Sequence, residues 1–257
     1  MVSHQKTNPG TTKSLTIAVA GNPNAGKSTL INAIAGSRLH VGNWPGVTVE
    51  KKTASFDFQG RSVTLVDLPG TYSLSPYTQE EVIARDYLVS QKPDVIINVV
   101  DATNLERNLY FTIQLIELGI PLVIALNMHD EAEQKGLIID TNKISSMLGS
   151  PVIPTVATKR EGIDRLLEAA VDSADPTKAH QPAPLSYGDD IETAVKTILE
   201  ALNKEPQIKA DRLPARWLAL KLLEGDELVW KKSAVPYSAS VMEQATRHLK
   251  KAHGEDI

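Results

Sequence analysis

The stretch GNPNAGKST, Gly21 to Thr29, limits the fold more than any other part of this chain, because it fits G-x-x-x-x-G-K-[ST] with the right flanks. The apolar run Leu15 to Ala20 before it has strand character, and Leu30 to Ala35 after it has helical spacing. A loop joining strand to helix turns backbone N–H groups inward and adds the positive field of a helix start, which suits a polyphosphate. Gly21 and Gly26 allow close backbone approach on either side of Asn22, Pro23, Asn24 and Ala25. Lys27 is placed to reach the outer phosphates, and the hydroxyl of Ser28, next to Thr29, is a hard oxygen ligand for Mg2+.

Short runs rich in Val and Ile alternate with helical stretches along the next 150 or so residues, the pattern of a mostly parallel sheet covered on both faces. Strands are expected at Leu15 to Ala20, Thr53 to Phe58, Ser62 to Asp67, Val95 to Asp101, Leu122 to Asn127 and Val152 to Thr155. QGR between the second and third reads as a hairpin turn, which makes one antiparallel edge strand. Helices are expected at Lys27 to Ala35, Gln79 to Ser90, Leu105 to Leu118, Asn142 to Leu148 and Gly162 to Ala174. The fold class is therefore three-layer α/β with a six-stranded sheet. Pro176, Pro182 and Pro184 then break the pattern. Beyond them, Ile191 to Leu202, Trp217 to Leu223 after Pro214, and Ser240 to Lys251 have helical spacing. The expected division is a flexible N-terminus at 1–14, an α/β domain at 15–174, a linker at 175–188 and a small helical domain at 189–257.

The bulk chemistry narrows the partners. A net charge of -4 argues against nucleic acid or anionic lipid, and the absence of cysteine excludes disulfides and thiolate metal sites. No apolar run approaches the roughly 18 residues of a membrane span, and nothing resembles a signal peptide. His4, His40, His129, His180, His248 and His253 are dispersed, so no ligand spacing for iron is visible. The acidic pairs Glu80–Glu81 and Asp189–Asp190 sit at expected helix starts, where the dipole favours them.

Four further motifs identify the base and the switching parts. NMHD, Asn127 to Asp130, ends the fifth expected strand; the Asp130 carboxylate can accept from the ring N–H and the exocyclic amino group of guanine, while Asn127 braces base and loop beside Met128. VATK follows the sixth strand, so Val156, Ala157 and Thr158 border the base, with the Ala157 N–H aimed at the guanine carbonyl. In DLPG, Asp67 to Gly70, the carboxylate holds Mg2+ through water and the Gly70 N–H senses the terminal phosphate, with Leu68 and Pro69 between. In GNWPGVTVE, Gly46 and Val47 lead to Thr48, whose hydroxyl closes on Mg2+ only when that phosphate is present. These motifs, in this order, point to GTP and GDP.

GNPNAGKST, VGNWPGVTVE, DLPGTYSL, ARDYL and NMHD together resemble the N-terminal cytoplasmic GTPase of the bacterial ferrous iron transport protein B (FeoB) family, over Leu15 to about Ala174. The helical tail is similar by size and position to the family's small domain, described as stabilising bound GDP. The resemblance implies a P-loop GTPase fold and a GTP-hydrolysing switch on the cytoplasmic side of a bacterial inner membrane. It also implies a transmembrane portion of the same protein as partner, and a small cytosolic regulator. Thr71 follows Gly70 where many GTPases carry a water-orienting glutamine. The family is understood to use K+ in place of a catalytic arginine, which implies the Asn24 side chain and the carbonyls of Gly42 and Trp44 as K+ ligands, and Asn24, Lys27, Thr48 and Gly70 as the catalytic set.

Two other readings compete. A nucleic-acid-associated GTPase shares the phosphate loop but calls for a basic appendage. A pure binding switch shares every motif and dispenses with turnover. Trp44 is open between a packed aromatic, the commoner case, and an exposed reporter on a mobile loop, towards which its position argues mildly.

Overall fold

The computed structural model describes residues 14–75, 77–178, 185–203, 214–227, 229, 242–243, 245–247 and 249–250. Its first strand, β1 (Leu15–Gly21), shows the layering in miniature. Ile17 and Val19 pack into one core cluster and Ala18 and Ala20 into another. Successive strand residues face opposite sides, so β1 is covered on both.

The next elements are α1 (Lys27–Ala35), β2 (Leu39–Asn43), β3 (Glu50–Phe58), β4 (Arg61–Asp67) and α2 (Gln79–Gln91). After them come β5 (Val95–Asp101), α3 (Leu105–Glu117), β6 (Leu122–Asn127), α4 (His129–Gln134), α5 (Thr141–Leu148), β7 (Val152–Pro154) and α6 (Ile163–Ser173). The strands form one sheet in the order β2-β3-β4-β1-β5-β6-β7. β4, β1, β5, β6 and β7 run parallel, whereas β3 is antiparallel to β4 and β2 antiparallel to β3. Phe58 pairs with Arg61, and Gln59 and Gly60 between them have positive φ, as a two-residue hairpin turn matching strand twist requires.

The sheet thus has seven strands where six were expected, and the edge is β2, not the Thr53 to Phe58 strand. LHVGN lacks the alternation that marks a half-buried strand, since Leu39 is half-buried and the rest exposed. Pairing along β3, from Leu39 opposite Ala54 to Asn43 opposite Glu50, holds it in place. β3 accordingly begins at Glu50, three residues before the expected start.

Leu30, Ile31 and Ile34 of α1 and Leu166, Leu167 and Ala170 of α6 close one face of the sheet. Ala84 and Leu88 of α2 and Phe111 and Leu115 of α3 lie on the other. That second core runs without a break into Ala194, Val195 and Ile198 of α7 (Asp189–Leu202) and Trp217 and Leu218 of α8 (Ala215–Leu223). The helix expected over Ser240 to Lys251 falls partly outside the described residues, though its Ala245 and Leu249 are buried in this core.

Candidate functional site

The carboxyl ends of β1, β4 and β6 converge on the phosphate loop, and close backbone packing determines which residues fit there. A Cβ on Gly21 would stand 2.6 Å from the Val99 carbonyl oxygen. Gly26, the residue before α1, has φ 84, and a Cβ there would stand 2.2 Å from Nδ2 of Asn127. Neither position admits a side chain without moving the neighbouring strand end. Asn24 also has positive φ (68), a conformation that asparagine tolerates better than most residues, and its side chain is exposed.

Asn127 ties three segments together. Its Nδ2 donates to the Ala25 carbonyl at 3.0 Å, and its Oδ1 accepts from the Ala157 N–H at 3.1 Å and from Thr155 Oγ1 at 3.4 Å. The brace expected of Asn127 therefore joins the phosphate loop to the VATK segment. The Ala157 N–H, expected to face a guanine carbonyl, donates here to the Asn127 amide oxygen. Met128 takes up the turn with φ 58. It leaves Asp130 at the rim, where Oδ2 accepts from Lys159 Nζ at 2.8 Å. That hydrogen bond is the largest cause holding the Asp130 carboxyl below its ordinary pKa, so the group is an anion at neutral pH. Val156 and Ala157 are buried and Thr158 is exposed beside them.

β4 delivers Asp67 to Lys27, and their side chains are in direct contact. Burial pushes the Asp67 carboxyl above its ordinary pKa against the opposing pull of Lys27. A desolvated carboxylate of this kind gains from a cation, and Ser28 stands one residue from Lys27; hard oxygen donors of this type fit Mg2+. The Leu68 N–H donates to Val19, and the Thr71 N–H donates to Gly21 at 3.3 Å. Gly70 lies against Pro23: a Cβ on it would be 3.4 Å from that backbone. Gly21 to Lys27, Asp67 to Thr71, Asn127 and Ala157 are thus one connected knot. Ser28, Thr29, Asn24, Gly42, Gly46 and Thr48 stand exposed around it, and Val47 is half-buried.

The segment carrying Thr48 decides between the two readings of Trp44. Trp44 is not an exposed reporter: it is 6 % exposed, belongs to the second core and meets Tyr87 edge-on at 5.3 Å. Lys51 Nζ lies 4.7 Å over its ring. The Trp44 N–H donates to Val49, and its carbonyl accepts from Val47 at 3.2 Å, which closes the loop around Gly46. Gly42, expected in the same loop, lies within β2 opposite Lys51.

Several residues emerge that sequence reasoning passed over. Glu81, read only as a dipole partner, is buried; it accepts from Ser73 Oγ at 2.8 Å and from the Thr78 N–H at 3.0 Å, while Thr78 caps α2 in return. The signal was present, since T-x-x-E marks a capping box. The Leu74 N–H donates to Gln114 Oε1 at 2.6 Å, a contact across 40 residues that no local pattern announces. Arg107 stacks on Tyr72, 4.4 Å from the ring centre. The loop after Gly70 is therefore anchored to both α2 and α3.

Comparison with known proteins extends this picture. Residues 15–170 match the family described as Ferrous iron transport protein B, and residues 187–257 match the FeoB cytosolic helical domain. The Fe(2+) transporter FeoB of Escherichia coli K12 is 44% identical over 242 residues, covering 92% of this chain and 29% of the relative. A Porphyromonas gingivalis Fe(2+) transport protein A/Fe(2+) transporter FeoB fusion protein is 46% identical over 213 residues, 82% of this chain and 25% of its own length. The chain therefore spans under a third of these relatives. Among solved structures, an S. thermophilus NFeoB mutant bound to mGDP matches with TM-score 0.86 and 43% identity, covering 95% of this chain and 92% of that one. The cytosolic domain of the T. maritima FeoB iron transporter in apo form matches with TM-score 0.80 and 36% identity, covering 93% and 94%. With both family models matching in order on a phosphate-loop sheet followed by packed helices, this chain belongs to the ferrous iron transport protein B family.

Proposed function

We propose that this chain binds GTP and GDP, hydrolyses GTP with K+ stimulation, and acts as the regulatory switch of a ferrous iron membrane transporter on the cytoplasmic side of a bacterial inner membrane. The observation that carries the reading is the Asn127 knot. It joins the phosphate loop to the VATK segment, Lys159 of that segment pairs with the Asp130 carboxylate, and NFeoB relatives are solved with guanine nucleotides. The proposed division is a nucleotide-binding domain over 15–174 and a helical domain over 189–257 that stabilises the GDP form. Its partners are the transmembrane portion of the same protein and a small cytosolic regulator.

In this reading the N–H groups from Gly21 to Lys27 and the start of α1 bind the phosphates, and Lys27 neutralises the outermost. Asp130 accepts both guanine donors, and adenine, without that pair, leaves the carboxylate unmatched. Ser28, Thr48 and Asp67 would hold Mg2+, and Asn24 with the Gly42 and Trp44 carbonyls would hold K+; bound cations offset charge growing on the phosphate oxygens. The N–H of Gly70, a residue packed beside Pro23, would read the terminal phosphate. Thr71 supplies no amide to orient water, so charge compensation and alignment by the loops do the work that a glutamine shares elsewhere.

Calorimetric titration with GDP and ADP, followed by multiple-turnover phosphate release in KCl and NaCl, tests this directly. GDP should bind at least about a hundredfold tighter than ADP. Turnover should be faster in KCl, and Asn24→Ala should abolish that difference while GDP affinity stays near the parent value. Equal rates in the two salts would remove the K+ proposal, and equal affinity for the two nucleotides would remove the whole reading.

A further inference from the structure

Tyr72 stands two residues beyond Gly70, in a segment whose other members are fastened by hydrogen bonds. The Thr71 N–H donates to the Gly21 carbonyl, Ser73 Oγ to Glu81, and the Leu74 N–H to Gln114. The Tyr72 ring is 42% exposed and carries the Arg107 guanidinium 4.4 Å from its centre. Arg107 goes against two local preferences. It is the third residue of α3, in the turn where the helix dipole disfavours a cation, and among the described residues no carboxylate pairs with it. Residues that break a local rule in this way are retained where they serve another part of the fold. The backbone of the same residue meets the phosphate loop: buried Asn22 donates through Nδ2 to the Arg107 carbonyl at 3.5 Å. One residue of α3 therefore touches, with two separate groups, both segments that border the outermost phosphate in the proposed site.

We propose that Arg107 is a positioning residue for GTP hydrolysis: its guanidinium, seated on the Tyr72 ring, keeps the segment from Gly70 to Tyr72 aligned with the phosphate loop. The inference rests on the proposed GTPase function. Arg107 acts through Tyr72 and not on the nucleotide. Removing its charge therefore loosens the alignment on which the hydrolytic step depends and leaves ground-state binding by the phosphate loop as it was. A cation–π contact this exposed is a modest fastening, equivalent to about a two- to fivefold change in population. Arg107→Met isolates it, because the aliphatic stem is kept and the backbone carbonyl that accepts from Asn22 is unchanged.

Amide hydrogen exchange is read first, by NMR on the folded chain without nucleotide, so that failure of the inference is distinct from failure of the proposed function. In Arg107→Met the Thr71 and Leu74 N–H groups should exchange about two- to fivefold faster than in the parent, with the amides of α6 unchanged. In multiple-turnover phosphate release, kcat should fall by about the same factor while KM for GTP and the affinity for GDP stay near the parent values. Arg107→Lys keeps a cation for the ring and should recover part of the loss. Tyr72→Leu should lose as much as Arg107→Met, and the two substitutions together should lose no more than either alone. Unchanged exchange at Thr71 overturns the inference whether or not the parent chain turns over GTP. So does a loss that falls on GDP affinity instead of kcat, an Arg107→Lys rate no better than that of Arg107→Met, or losses that multiply in the double variant.

Discussion

The two faces of the sheet are covered by different means. Below it, α1 and α6 pack Leu30, Ile31, Ile34, Leu166 and Leu167 onto Ile17, Val19 and Ile97, a hydrocarbon contact made within the α/β unit. Above it, α2 and α3 share their core with α7 and α8, and charged groups cross the junction: Arg85 to Asp226 at 3.0 Å, with side chains 3% and 4% exposed, and Arg216 to Glu117. Hydrocarbon packing is forgiving of small shifts. Buried ion pairs depend on geometry, because the cost of desolvating them is repaid only at close range. The first face is a fixed base, and the second is specified by direction and charge. The loop after Gly70 hangs from the second, through Glu81 of α2 and Gln114 of α3.

Breaking the charged junction should give the largest effect. Arg85→Ala takes the guanidinium away from the buried Asp226 carboxylate and should cost about 3–5 kcal/mol in urea unfolding, whereas Arg85→Leu with Asp226→Leu should recover most of that loss. Should the double variant be no better than the single, the contrast drawn between the faces fails. On the hydrocarbon side, Leu30→Ala should cost about 3 kcal/mol and leave the pH dependence of stability as it was. Thr78→Ala removes the side-chain cap of α2 and should cost about 1 kcal/mol. Its effect on phosphate release should exceed that of Leu30→Ala, since the same capping box holds the loop after Gly70.

The smallest effect concerns pH. Burial raises the Glu117 carboxyl above its ordinary value, with Arg216 pulling the other way. A carboxyl raised on folding binds its proton more tightly in the native state, so its contribution is complete below the unfolded pKa and fades as pH rises through the folded one. Stability of Glu117→Gln should therefore fall less than that of the parent chain as pH rises through the acid range. Parallel profiles would show that the carboxyl titrates normally.

What could be read from the sequence was what is local. The phosphate loop sits between an apolar strand and a helix in adjacent residues, and β1, β4, β5 and β6 lie where runs of Val, Ile and Leu put them. Gly26 and Asn127 were recognisable by motif, although the reason that no Cβ fits at Gly26 is the Asn127 amide 101 positions away. β2 escaped because LHVGN has no strand pattern of its own and depends on β3. Trp44 stayed open between two readings because its burial depends on Tyr87, far along the chain. The helical spacing of Ile191, Val195 and Ile198 showed that the tail was amphipathic without showing which surface it covers, and Arg85 in ARDYL gave no hint of Asp226.

The burial of Trp44 sets a limit on how far its neighbours travel. Thr48 is four residues beyond that fixed indole and two residues before Glu50, where β3 begins. At about 3.5 Å per residue, the short leash to Glu50 confines Thr48 to a radius of about 7 Å as long as β3 keeps its first pairing. Any wider excursion has to peel strand off the sheet edge, so the range of this threonine is controlled by the grip of β3 and by one ring lodged under α2.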